Sequence, residues 1–102
     1  MGTIKLLETI VKEFVTIVEL LEQYKPIEND RLIIEREEFK NLLEKYAYMN
    51  FRQKTKIYKQ LNFIIHDKNN YTMPCKTQDK KTARKVVINY QTYLVIKELY
   101  NS

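Results

Sequence analysis

The sequence predicts a single α+β domain in which helices flank one short strand and a two-stranded hairpin, and three observations lead there. Residues 71–75 and Thr82–Asn89 are rich in β-branched and aromatic side chains, and the stretch 76–81 between them holds polar turn formers and no large apolar side chain. Apolar residues at helical spacing lie on both sides of this hairpin. A length of 102 residues suits one core and falls short of two, so the expected domain spans 1–102.

Composition narrows the class. Hydrophobic content is 44% and charged content 30%, which excludes disorder over most of the chain. Residues 1–50 hold seven Lys/Arg against ten Asp/Glu, a net of −3; residues 51–102 hold eleven against three, a net of +8. An acidic half and a basic half imply one face for an anion and another for something else. Cys75 is the lone cysteine, which rules out an internal disulfide and a cysteine-based zinc site and suits a reducing, cytoplasmic setting. The N-terminal segment is apolar but broken by Lys5, Glu8, Lys12, Glu13 and Glu19, so neither a signal-peptide core nor a membrane span is expected.

Thr3 is placed to cap a first helix running to about residue 23, with Ile4, Leu7, Val11, Phe14, Val15, Val18 and Leu21 on one face. Leu6, Ile10, Ile17 and Leu20 form a second apolar row beside it. That width fits either a deeply buried helix or one that also serves a dimer interface, together with Tyr93, Leu94 and Tyr100 of the last helix. Lys25-Pro26 ends the first helix and Glu28-Asn29-Asp30 supplies a turn into a short strand, residues 31–35. A second helix runs from Arg36 through about Met49 on Phe39, Leu42, Leu43 and Tyr46, with Glu37 and Glu38 near its positive end.

Asn50 with Gln53 three residues on resembles a capping box, opening a third helix over about 53–65. Its core face is expected to be Ile57, Leu61, Ile64 and Ile65, leaving Arg52, Gln53, Lys54, Lys56, Lys59 and Gln60 outward. With four Lys/Arg and no acid from 52 to 65, that outward face is basic. In the hairpin, Pro74 has no amide to donate and belongs on an edge strand, while Val86-Val87-Ile88 reads as a central strand with residues 31–35 beside it. Residues 91–100 form a closing helix.

The hairpin tip is the most charged stretch. Lys76, Lys80, Lys81, Arg84 and Lys85 stand against Asp79, a net of +4 in ten residues. A solvated hairpin is the plain alternative, but that density beside a basic helix favours phosphate binding. Tyr71, Tyr90, Tyr93 and Tyr100 are read as core and not as stacking platforms.

Helix, strand, helix, tight corner, helix and basic hairpin is the element order of the winged helix-turn-helix family, and the chain resembles that family over about residues 4–90. The run LLEKYAYMNFRQKTKIYKQLNFI followed by a two-stranded wing carries the resemblance. It implies double-stranded DNA as partner. Residues 53–65 take the recognition place, with Arg52, Gln53, Lys54, Lys56, Lys59 and Gln60 as contacts, and the wing offers Lys76, Gln78, Lys80, Lys81, Arg84 and Lys85, with binding centred on the wing. More narrowly, RKVVINYQTYLVIKELY and NFRQKTKIYKQLNFIIHDKNNYTMPCK resemble the small winged-helix accessory proteins of clostridial conjugative plasmids. Those bind repeats at the origin of transfer and help assemble the relaxosome, which implies a homodimer working with a relaxase or other transfer proteins. Transcriptional repressors and plasmid or phage replication factors use the same module, and a protein-interaction module is the reading from another class. One departure is that neither the helical corner nor the wing tip contains glycine.

Chemistry finds no constellation. His66 has no second His or Cys at ligand spacing and is read as a helix-terminal histidine, so no metal is expected. Glu35, Glu37, Glu38 and Glu44 flank an exposed helix start, and neither a nucleophile with a partner base nor a phosphate-binding glycine loop occurs. The expectation is a non-enzyme without cofactor or catalytic residues.

Overall fold

The computed structural model describes the backbone of residues 2–68, 70–76 and 81–101, and the side chains within them except at 2–4, 76, 100 and 101. The order is α1 (Gly2–Leu21), β1 (Arg31–Ile34), α2 (Arg36–Glu44), α3 (Phe51–Gln60), β2 (Ile64–Ile65), β3 (Met73–Lys76), β4 (Thr82–Asn89) and α4 (Tyr90–Asn101). The fold is α+β, four helices with a small antiparallel sheet among the described residues.

β4 organises the sheet because its two halves do different work. Its second half, Val86, Val87 and Ile88, is buried on both faces, flanked by β1 (Ile34↔Val86 to Arg31↔Asn89) and by β2 (Ile64↔Ile88, Ile65↔Val87). Its first half leaves the core and pairs with β3 from Met73↔Lys85 to Lys76↔Thr82, so the hairpin is an extension of the central strand. Pro74 sits exposed in β3 as its missing amide requires. β1 is entered through Asn29 (φ 52°) and Asp30 (φ 59°), both left-handed, with Glu28 and Arg31 exchanging backbone hydrogen bonds of 3.0 and 2.9 Å. That is a two-residue turn of the mirror-image type, which Asn and Asp tolerate best after glycine.

The core is aromatic. Phe14 of α1 stacks on Phe63 with centroids 4.0 Å apart and meets Tyr58 edge-on at 5.9 Å. α1 is turned differently from the expectation. Ile10 and Ile17, of the second apolar row that suited either deep burial or a dimer interface, are buried with Phe14, Val18 and Leu21, whereas Leu7, assigned to the core face, is exposed. Tyr93 is likewise fully buried, so it and the two isoleucines belong to the chain's own core and not to a dimer face. Leu6 is half-buried, Leu20 and Leu94 are exposed, and the Tyr100 side chain lies outside the described residues. Glu22 ties α1 to α4 by accepting from the hydroxyls of Tyr90 (2.7 Å) and Tyr93 (3.3 Å). Both phenols are pushed up to about 12, Tyr90 first by that hydrogen bond and Tyr93 first by burial.

Two helices are shorter than expected, each for an identifiable reason. α3 stops at Gln60 because Asn62 (φ 58°) turns left-handed. The amides of Asn62 and Phe63 bond back to Lys59 (3.2 Å) and Tyr58 (2.9 Å), and the Phe63 ring packs on Tyr58 at 5.2 Å. These are the two bonds and the apolar contact of a Schellman cap. It releases Ile64 and Ile65 into β2, and His66 accordingly follows a strand and not a helix. α2 ends at Glu44, and the cause is Lys54. Expected outward, Lys54 is fully buried and its ammonium donates to the carbonyls of Leu43 (2.5 Å) and Tyr46 (2.6 Å) and to Glu13 Oε2 (2.7 Å). The α2 terminus is thus closed by a cation from the next helix. Glu13 Oε1 accepts from the Tyr58 hydroxyl at 2.8 Å, and burial, then Glu13, holds that phenol well above its ordinary pKa.

Candidate functional site

α3 presents a cationic edge whose form follows from its inner face. With Lys54, Thr55 and Tyr58 turned inward, Arg52, Lys56 and Lys59, spaced four and three residues apart, line one side of the helix. The helix start is fixed by Asn50, whose Oδ1 accepts from the Gln53 amide at 2.8 Å as the capping pattern predicts. Gln53 and Gln60 are exposed.

Opposite this edge lies the strap between β2 and β3, of which residues 66–68 and 70–72 are described. Arg52, Thr55, Lys56 and Lys59 on one wall and Asn70 and Tyr71 on the other enclose an open cleft of about 390 Å³, and among the described residues no carboxylate lines it. Tyr71 is held by Phe51 edge-on at 5.5 Å and Phe39 stacked at 6.1 Å, so its ring is spent on packing, as the core reading requires. Among the described residues the ion pairs are Lys25–Glu38, Lys54–Glu13, Arg84–Asp67 and Lys85–Glu35, and none involves a cleft cation. Among the described residues, then, three cations without a carboxylate partner converge on one groove, an arrangement that makes its local potential positive.

The hairpin differs from the picture of a row of open cations. Arg84 Nη2 donates to Asp67 and to the Thr72 carbonyl (2.8 Å), and Nε donates to Thr72 Oγ1 at 2.9 Å. Lys85 pairs with Glu35 at 3.0 Å. Lys81 is exposed, the Lys76 side chain is not described, and Gln78 and Lys80 lie outside the described residues. Lys54 is removed from the surface altogether. Of the helix residues singled out by sequence, the structure therefore brings Arg52, Lys56 and Lys59 to one cleft.

His66 Nδ1 is 2.7 Å from the Asp67 carbonyl, and among the described residues no group of three His, Cys, Asp or Glu stands where a metal would need them. Among them also no helix is long and apolar enough to cross a membrane. Compared with known proteins, the chain matches no family model and no curated protein, so a functional reading rests on its own geometry.

Proposed function

We propose that this chain is a winged helix-turn-helix protein that binds double-stranded DNA, with α3 in the recognition place and the β3–β4 hairpin as the wing. One observation carries the reading: a cleft, lined by no carboxylate among the described residues, in which Arg52, Lys56 and Lys59 face Asn70 and Tyr71 on the segment that leads into the hairpin. Support comes from the order of elements, α1–β1–α2–α3 and then a hairpin continuous with the central strand β4. The cleft cations supply phosphate contacts that fix register, and the wing tip supplies contacts to base edges. Binding to a labelled duplex tests this. If on the order of four to six phosphates are neutralised per subunit, log affinity falls with log salt at roughly −0.9 per phosphate. No binding to any duplex at low salt would remove the reading.

The biological setting we propose is that of an accessory factor at a plasmid origin of transfer, acting beside a relaxase, on the sequence resemblance alone. Repressor and replication roles use the same contacts, and footprinting on the replicon that encodes the chain separates them. A homodimer completes the proposal. With Ile10, Ile17 and Tyr93 withdrawn into the core, the surface left for it is the exposed set Leu7 and Leu20 on α1 and Leu94 and Val95 on α4. Sedimentation is expected to give twice the chain mass. Leu20→Glu with Leu94→Glu is expected to halve it without unfolding, and a wild-type monomer at micromolar concentration would remove the dimer from the proposal.

A further inference from the structure

Asp67 is out of place on a DNA-binding face. The second half of the chain holds only three acids against eleven Lys/Arg, and one of the three, Asp67, lies on the strap three residues before Asn70 of the cleft wall. A carboxylate there repels the polyanion that the cations attract, unless it does structural work. The hydrogen bonds show what that work is. Arg84 projects from β4 opposite Pro74 and holds Asp67 with one N–H and Thr72 with two. Thr72 is 3% exposed, so the acceptor ends of these bonds are held within the fold while the Arg84 side chain stays partly solvated. Asp67 and Thr72 bracket the strap, and Asn70 and Tyr71 between them form the far wall of the cleft. A single planar guanidinium thus couples the wing strand to both ends of the segment that shapes the groove. Lys85 to Glu35, at 3.0 Å, adds a second tie from the wing base to the start of α2.

We propose that Arg84 is a positioning residue, locking the hairpin and the strap against the α3 cleft through Asp67 and Thr72, and is not itself a DNA contact. The proposal rests on the DNA-binding reading and deepens it. It reassigns the most versatile cation of the wing from phosphate to scaffold. The fork geometry is essential: Nε and Nη2 act at separate points at once, and a lysine ammonium places all its donors at one atom.

The test combines duplex titration across a salt series with amide hydrogen exchange on the free protein, for wild type, Asp67→Asn, Arg84→Lys and the double variant. The lock predicts that Asp67→Asn weakens binding, although it removes a negative charge from the binding face. Arg84→Lys should also weaken it, although it keeps the positive one. Each loss is expected to be about tenfold, with the salt slope unchanged and the double variant no worse than either single one. Exchange in β3 and in the first half of β4 should quicken in all three variants without DNA. A direct phosphate contact predicts the reverse: tighter binding by Asp67→Asn, near-normal binding by Arg84→Lys, and unchanged exchange. That pattern would overturn the proposal. A wild-type protein that binds no duplex would overturn the DNA reading and Arg84's part in it, while the exchange data would separately show whether the brace holds the hairpin.

Discussion

Replacing Lys54 by alanine is expected to lower folding stability by about 3–5 kcal/mol, the usual result of leaving one member of a buried ion pair without its partner. The change strands Glu13, itself 5% exposed, without its cation and with the Tyr58 hydroxyl still bonded to it. It also deprives the Leu43 and Tyr46 carbonyls of their donor at the end of α2 and removes the cation lying 4.2 Å from the centre of the Tyr48 ring. Lys59→Ala, five residues on in the same helix, is the matched comparison, since surface substitutions usually fall within about 0.5 kcal/mol. The pair itself does not imply net stabilisation, because the cost of taking both charges out of water is large. Removing both together, Lys54→Met with Glu13→Leu, is therefore expected to recover most of the loss. Urea midpoints decide it, and equal midpoints for Lys54→Ala and Lys59→Ala would contradict the burial. The network also bears on function: Lys54 joins α1, α2 and α3 at one ammonium, so its contribution to any activity of α3 is to set the helix's position. A loss of binding in Lys54→Ala should track loss of fold and leave the salt slope per folded molecule unchanged.

Local patterns carried most of the element order. The β-branched run Val86-Val87-Ile88 in Thr82–Asn89, the proline in β3 and the Asn50–Gln53 cap each act over a few residues, and the structure agrees with all three. Longer-range competition decided the rest. Ile64 and Ile65 fit a helix by spacing, but Asn62 entered the left-handed region and a strand position beside Ile88 was open to them. The buried face of α1 was only partly legible because its apolar residues form two adjacent rows, and spacing alone does not say which of them meets the core. Glu13 lies three residues after Ile10 and four before Ile17, on the buried stripe, and Lys54 lies four before Tyr58 on the buried face of α3. An acid and a base each embedded in an apolar stripe are a legible sign of a buried pair, though nothing local says that they meet across 41 residues. The cleft was half legible. The cations of α3 stood out, but its far wall and the engagement of Arg84 and Lys85 depend on how the strap folds back.

Replacing Lys56 and Lys59 together by alanine is expected to weaken binding to cognate and scrambled duplexes alike, by roughly ten- to a hundredfold at low salt, and to reduce the salt slope by about 1.8. Both lysines line the cleft with Arg52 and lack an ion pair among the described residues. Point charges on flexible stems read phosphate and carry little sequence information. Gln78→Ala with Lys81→Ala is expected to behave differently, because a glutamine can pair with adenine through two hydrogen bonds and a lysine can reach guanine. Each such contact is worth about 1–3 kcal/mol of discrimination, so the wing variant should bind scrambled DNA nearly as before and lose its preference for the cognate site. The division follows from which cations are already engaged. Arg84 and Lys85 are tied to Asp67, Thr72 and Glu35, so on the proposed DNA-binding reading the salt-dependent affinity is expected to rest more on α3 than on these two wing cations. The two double variants, titrated on both duplexes under one salt condition, make the comparison direct. If the cleft variant loses the cognate preference and the wing variant weakens both duplexes equally, then α3 reads the bases and the wing holds the backbone.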